Sequence, residues 1–294
     1  MKFGKVSAEE LYQLELSLPS DHKSIRELSG KNRNAPKVFV GCAKWGRKEW
    51  LGLLYPEGTA EKDFLNNYVS HFNAIELNGT FYGTKKAHIQ KWAESGVEGF
   101  KFCPKFTQII SHRKRLKDAG QITEYYLEAI DAFGDYLGKA FLQLPENFGP
   151  KNFDVFASYI KSLPRNAPVT VELRHKGWFE DQNIFNDTVS ILCENNKGIV
   201  ITDVGGRRDA LHMAVTTPYT FVRFNGYDLH PSDFSRMDEW VWRLKSWLED
   251  GLEEIYFFLH QEDEKYTPET SAYFTRKINE VCNLDLRLPK FLNQ

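Results

Sequence analysis

Between Val38 and Gln261 the chain repeats one pattern eight times: a short apolar run, a polar residue at or just past its end, then a stretch with helical spacing. The runs fall at 38–42, 74–78, 100–105, 140–144, 169–174, 198–203, 221–225 and 255–260. Short runs of this kind suit strands buried on both faces, as in a parallel sheet. Three of the intervening stretches have clear apolar stripes. Phe64, Leu65, Tyr68, Val69 and Phe72 share one face behind a cap at Thr59; Ile122, Tyr126, Ile130 and Phe133 share a second; Met237, Trp240, Leu244 and Trp247 share a third. Thr267 followed by Pro268 reads as a cap and first helical residue. Strands alternating with helices predict a (β/α)8 TIM-like barrel over residues 37–294.

One unit departs from the pattern. Between Asp203 and Phe221 lie Gly205-Gly206 and Pro218 but no stripe, so the sixth helix should be short or missing. Residues 1–36 read as an N-terminal extension. Ser7-Ala8-Glu9-Glu10 opens a helix carrying Leu11, Leu14 and Leu16, Pro19 ends it, and a polar, breaker-rich linker over 29–36 leads into the first strand.

The polar residues at the run ends are Lys44, Glu76 with Asn78, Lys105, Gln143, Glu172 with Arg174, Asp203, Arg223 with Asn225, and His260. Side chains alternate faces along a strand, so Thr170, Glu172 and Arg174 share one face while Val169, Val171 and Leu173 share the other. The same parity pairs Glu76 with Asn78, Cys103 with Lys105, Ile201 with Asp203, Arg223 with Asn225, and Phe258 with His260. All would point into the barrel at the C-terminal ends of its strands, where barrel active sites lie. Lys44, Lys105, Arg174 and Arg223 stand against Glu76, Glu172 and Asp203, and His260 can add another positive charge. That balance favours an anionic ligand. An internal ion-pair network with no ligand is the plainer alternative.

Composition narrows the partners. The formal charge of −2 over 294 residues gives no global attraction to nucleic acid or anionic membrane, which disfavours a nucleic-acid partner; the basic run His112, Arg113, Lys114, Arg115 and Lys117 is a local exception, read as a solvated loop. No run is long and apolar enough to span a bilayer, and Lys2 and Lys5 are not followed by a signal-peptide core, so a cytoplasmic location is expected. Cys42, Cys103, Cys193 and Cys282 lie far apart without metal-site spacing; Cys42 and Cys103 should be buried in strands. The oligomeric state is left open.

Several strings together are distinctive: Gly41…Trp45…Trp50…Tyr55-Pro56; Glu76-Leu77-Asn78-Gly79-Thr80-Phe81-Tyr82; Gln143-Leu144-Pro145; Glu172-Leu173-Arg174-His175…Trp178; and Val222-Arg223…Gly226. The chain resembles the YecE-like family (domain of unknown function 72) over about residues 38–260. The resemblance implies a TIM-barrel-like fold with a polar pocket at the strand ends, and no particular reaction. It departs at Asn225, where the family usually has a histidine, and at Phe258-Leu259-His260-Gln261, where the family tends to have Phe-Asn-Asn.

The residue types allow several chemistries. General acid/base work on a phosphorylated or carboxylated molecule fits best: Arg174 and Arg223 would clamp the anion, Glu172 would act as base, and His175 or His260 would move protons. Glu76 and Asp203 would complete the catalytic set, while Lys44, Lys105, Asn78, Gln143, Asn225, Tyr82 and Trp178 would bind substrate. No cofactor is expected. A divalent metal shared by Glu172 and Asp203, as in sugar-isomerase-like barrels, is an alternative that the nearby Arg and Lys residues oppose. A glycosidase pair needs a protonated carboxyl that Arg174 would keep ionised. Lys105 or Lys44 could form a Schiff base if its pKa were lowered. A non-catalytic binder of a small anion or of nucleic acid is the reading from another class. Whether the protein is an enzyme at all is undecided on the sequence.

Overall fold

The computed structural model describes residues 3–28 and 35–292. Eight parallel strands form one sheet in the order β3-β2-β1-β8-β7-β6-β5-β4: β1 (Lys37–Cys42), β2 (Ala74–Leu77), β3 (Lys101–Pro104), β4 (Ala140–Gln143), β5 (Val169–Glu172), β6 (Gly198–Asp203), β7 (Tyr219–Asn225) and β8 (Glu254–His260). Isolated bridges Phe102↔Leu137 and Lys105↔Phe141 join β3 to β4 and nearly close the barrel. Every expected strand is present. Four end one or two residues early, so Asn78, Lys105 and Arg174 stand just beyond the ladder, on the loops that shape the barrel mouth.

The helices are α1 (Ala8–Leu11), α2 (Phe64–His71), α3 (Lys86–Ala93), α4 (Gly120–Ile130), α5 (Phe153–Ser162), α6 (Gly177–Glu180), α7 (Gln182–Glu194), α8 (Pro231–Glu249) and α9 (Thr267–Cys282). Between β6 and β7 a 3-10 segment, Gly205–Ala210, takes the place of a full helix, as the missing stripe predicted. Two expected caps are corrected. The Thr59 hydroxyl donates to the Pro56 carbonyl, and a 3-10 turn at Glu61–Asp63 leads into α2 instead. Thr267 is already the first residue of α9, with Pro268 in its first turn, where a missing N–H costs nothing.

The extension is shorter in helix than its leucines suggested. Ser7 and Glu10 form a reciprocal capping box, but α1 stops at Leu11, the one buried leucine of the set; Leu14 and Leu16 lie beyond it. The linker expected over 29–36 lies outside the described residues except for Ala35 and Pro36. The arm nonetheless holds firmly to the barrel. Gly206 N–H donates to the Gly4 carbonyl at 3.0 Å, Arg208 donates to the carbonyls of Leu16 and Ser17, and Arg243 donates to that of Pro19. Among the described residues no helix is long and apolar enough to cross a membrane.

Among the described residues three large apolar groups carry most of the packing, and a small fourth, Phe3 with Val204 and Ala210, seats the N-terminal arm. Outside the sheet, two large clusters join the outward strand faces to the helices. Inside, Phe39, Cys103, Phe141, Val200, Phe221, Tyr256 and Phe258 fill the barrel below its mouth. Aromatic rings thus replace the branched side chains usual in such interiors. Cys42 and Cys103 are buried and free, as expected. Above this layer the interior turns abruptly ionic.

Candidate functional site

Strand pairing sets Gln143 opposite Glu172 and Asn225 opposite His260, so the inward polar residues arrive at one level. Arg223 is the hub. Its Nε and Nη2 donate to the two oxygens of Glu76 at 2.7 and 2.8 Å, and its Nη1 donates to Glu172 at 2.8 Å. All three guanidinium nitrogens are committed. Glu172 also accepts from Arg174 Nε at 2.8 Å and from the Thr202 hydroxyl at 3.4 Å. Glu76 further accepts from Asn78 at 2.9 Å and faces His260 Nε2 at 3.0 Å.

Glu76 and Glu172 are fully buried and Arg223 is 2% exposed, so their ionisation depends on each other. Burial alone would raise both carboxyl pKa values. Arg223 and His260 overcome it at Glu76, which titrates well below the ordinary range, and Arg174 and Arg223 do so at Glu172, which is also lowered. Both lowered carboxyls favour the ionised form, which counts against the two-carboxylate glycosidase reading.

His260 sits between Glu76 and Glu264, whose nearer oxygen is 3.6 Å from Nδ1. Burial would lower its pKa, but the two carboxylates outweigh burial and raise it above 6.5. The folded state therefore holds this proton more tightly than the unfolded chain. The resulting stability is fully present below pH 6.5 and is lost as pH rises through the folded value. We expect stability, followed by urea unfolding, to decline over that window in the parent and to decline less in His260→Gln. Equal slopes would refute the protonated pair.

A cavity of about 740 Å3 opens above this floor. Lys105, Gln143, Arg174, Arg223, His260 and Glu264 form its polar side, with Lys44 and Asn78 at the rim. Trp45, Phe81, Tyr82 and Trp92 form an aromatic side. Lys105 Nζ donates to Gln143 at 2.9 Å and lies 4.6 Å from the centre of the Phe81 ring. Burial, then the neighbouring Arg223, lower its pKa to about 8 despite the pull of Glu172 and Glu76.

Four sequence-derived candidates lie elsewhere. Asp203 points outward: the inward residues of β6 are Val200 and Thr202, one register off the expected parity. A strand apolar on both faces does not reveal its parity, and Asp203 was assigned by its charge alone. Its carboxylate instead accepts from Arg236 at 2.9 Å and from the Trp240 indole at 2.7 Å, both on α8, and pairs with Arg208. Glu172 and Asp203 thus face opposite sides of the sheet and cannot share a metal ion; among the described residues no His, Cys, Asp and Glu group forms a metal cluster.

Trp178 is fully buried behind the sheet, its indole donating to the Phe148 carbonyl, so it is a packing residue. His175 turns toward Gly149 and Gly177, accepting from the Gly177 N–H at 3.0 Å, outside the cavity. Asn225 donates to the backbone carbonyls of Asp203 and Arg223 and borders a separate cleft of about 40 Å3. Glu264, Thr202 and Trp92 belong to the site or its floor without having been singled out. Glu264 is four residues past His260, a spacing that would have placed it in reach.

The N-terminal arm reaches this face as well. The Phe3 ring, 4% exposed, lies between two guanidinium groups, those of Arg174 and Arg207, each 4.7 Å from its centre. Arg174 is therefore oriented from two sides, by Glu172 and by Phe3.

Barrel and pocket together define a (β/α)8 protein with a charged site at the C-terminal ends of its strands. The chain belongs to the family described as "Protein of unknown function DUF72", whose model matches residues 39–290. The UPF0759 protein YecE of Escherichia coli (strain K12) is 26% identical over 251 residues, covering 79% of this chain and 89% of the relative. The UPF0759 protein YunF of Bacillus subtilis (strain 168) is 27% identical over 167 residues, covering 53% of this chain and 56% of the relative. A DUF72 family protein from Enterococcus faecalis V583 superposes with a TM-score of 0.62 at 18% identity, over 86% of this chain and 98% of that one. A methylaspartate ammonia lyase from Clostridium tetanomorphum reaches 0.51 at 11% identity, over 88% of this chain and 61% of that one. Those two likenesses are of fold alone.

Proposed function

We propose that the pocket binds a small phosphorylated or carboxylated molecule and performs proton transfer on it, with Lys105 as the group that takes and returns the proton. The observation carrying this reading is the Lys105 amine: lowered to about 8, lining the cavity, and fixed by Gln143 and Phe81. A base with a pKa near the working pH is the effective one. Glu172 is the weaker choice, because its oxygens already accept from Arg174, Arg223 and Thr202. It and Arg223 hold the frame; Arg174 and Lys44 meet the anion. His260, its pKa raised by Glu76 and Glu264, adds positive charge beneath the anion, with both ring nitrogens turned to those carboxylates.

Competitive acetylation followed by peptide mass spectrometry tests the base directly. Lys105 should label with a midpoint near pH 8, and small anions that raise the melting temperature should protect it. Lys105→Met should lower turnover of such a ligand by roughly 10²–10⁴-fold. A labelling midpoint near 10.5, or full turnover by the variant, would overturn the assignment. A neutral lysine is also a carbonyl nucleophile, and borohydride trapping at Lys105 would convert the reading to Schiff-base chemistry.

A further inference from the structure

The chain carries a formal charge of −2, but the mouth of the barrel does not share it evenly. Two segments lead away from one flank of the cavity: 78–86, which follows β2 and lines it with Asn78, Gly79, Phe81 and Tyr82, and 105–118, which follows β3 and lines it with Lys105. The first holds two lysines and no acid; the second holds five Lys and Arg residues against the single Asp118. These loops are fixed against the pocket wall. The His112 ring meets Phe81 edge-on at 5.0 Å, and Arg115 donates to Asn147 while lying 5.4 Å from the Phe148 ring centre. Lys85, Lys86, Arg113 and Lys117 are exposed and form no ion pair among the described residues.

The aromatic wall adjoins the same flank. Trp45 and Trp92 meet edge-on at 6.1 Å, Phe81 and Tyr82 at 5.3 Å, and Tyr82 is 80% exposed at the cavity rim. A tyrosine left so bare beside a cavity offers a π-face to a planar group. Aromatic faces bordered by unpaired cations are the physical basis of single-strand nucleic-acid binding: bases stack, and the cations follow the phosphates.

We propose that the molecule this pocket takes is one nucleotide of a single-stranded nucleic acid. The base enters along Tyr82 and the Trp45–Trp92 wall, its phosphate faces Arg174 and Lys44, and the neighbouring phosphates run over Lys85, Lys86 and the 113–117 turn. This deepens the anionic-ligand reading above and rests on it. A free mononucleotide would leave the flanking cations unused. A duplex would first have to unstack and flip a base toward the cavity, a cost that a single strand does not bear.

The test is fluorescence anisotropy of the whole protein with a labelled, mixed-sequence single strand of about 12 nucleotides, as DNA and as RNA. Binding should weaken with salt, the log–log slope being about −0.7 for each phosphate contact. Tyr82→Ala should weaken binding about 10-fold or more with the slope unchanged. Lys85→Glu with Lys86→Glu should flatten the slope by about 1.4 across all sequences. Both changes are at exposed positions, so folding is not at stake. The proposal falls if the single strand fails to bind at about 50 mM salt, if a duplex or heparin competes equally, or if a mononucleotide binds as tightly. Protection of Lys105 by inorganic phosphate, measured in parallel, separates the two ideas: if it persists without strand binding, only the nucleic-acid assignment is lost.

Discussion

Arg223→Met should destabilise the protein by about 3–5 kcal/mol, because it leaves two buried carboxylates, Glu76 and Glu172, facing each other without their shared cation. The effect should show as a lower urea midpoint at pH 7. It should shrink as pH falls, since protonating either carboxyl removes the repulsion that the substitution creates. Adding Glu76→Gln and Glu172→Gln should recover much of the loss, a non-additivity that marks a single interacting unit. A variant as stable as the parent at neutral pH would show that the hub is dispensable. The anion affinity proposed for the pocket should also fall in the single variant, because one positive charge is lost beneath it and Glu76 and Glu172 keep only His260 and Arg174 as their close charged partners among the described residues.

The second large effect is expected where the sequence misled. Asp203→Ala should cost about 3–5 kcal/mol by stripping Arg236, itself 1% exposed, of one of its two carboxylates and leaving the Trp240 indole unpaired. Burial raises the Asp203 pKa, but Arg236 and Arg208 lower it further, to below 3.8. Its stability contribution is therefore present above pH 3.8 and is lost as pH falls through the folded value. The parent should lose stability more steeply than the variant in that acid window. Because Asp203 faces α8, Lys105 in the folded variant should keep its labelling midpoint near pH 8 and its protection by small anions. Loss of that protection without unfolding would place Asp203 back in the site.

The contrast between these two residues shows what a single sequence can carry. Glu76, Glu172 and Arg223 were legible because each breaks an apolar strand at a position whose neighbours two residues away define the inward face. At 198–203 only Thr202 and Asp203 are polar, adjacent and on opposite faces, and charge is a poor guide to which one looks inward. Asp203 could be satisfied from outside only because α8 delivers Arg236 and Trp240 one turn apart, a tertiary fact. His175 and Trp178 follow Arg174 closely in sequence but leave the strand, and the turn into α6 carries them away from the mouth. The barrel itself was clear throughout, since eight apolar runs with helical spacers admit few other arrangements. Its missing sixth helix was legible for the same reason, as an absence of stripe.

The reading of Lys105 needed coordinates. Its place at the C-terminal end of the run marked it for the site, apart from Lys101 at the other end of β3, which donates to the Asp135 carbonyl, but nothing in the run marked it as a base. Its lowered pKa arises from burial and from Arg223, contributed by a strand across the barrel.

The placement of Phe3 between Arg174 and Arg207 has a practical side. The ring covers one side of Arg174, which lines the cavity, and its other face is taken by Arg207. A shortened chain that lost Phe3 would present the ligand with an Arg174 no longer backed by this ring. Ligand screens and labelling experiments on this protein should therefore keep Phe3. A negative result obtained with a chain trimmed past it says more about the trimming than about the pocket.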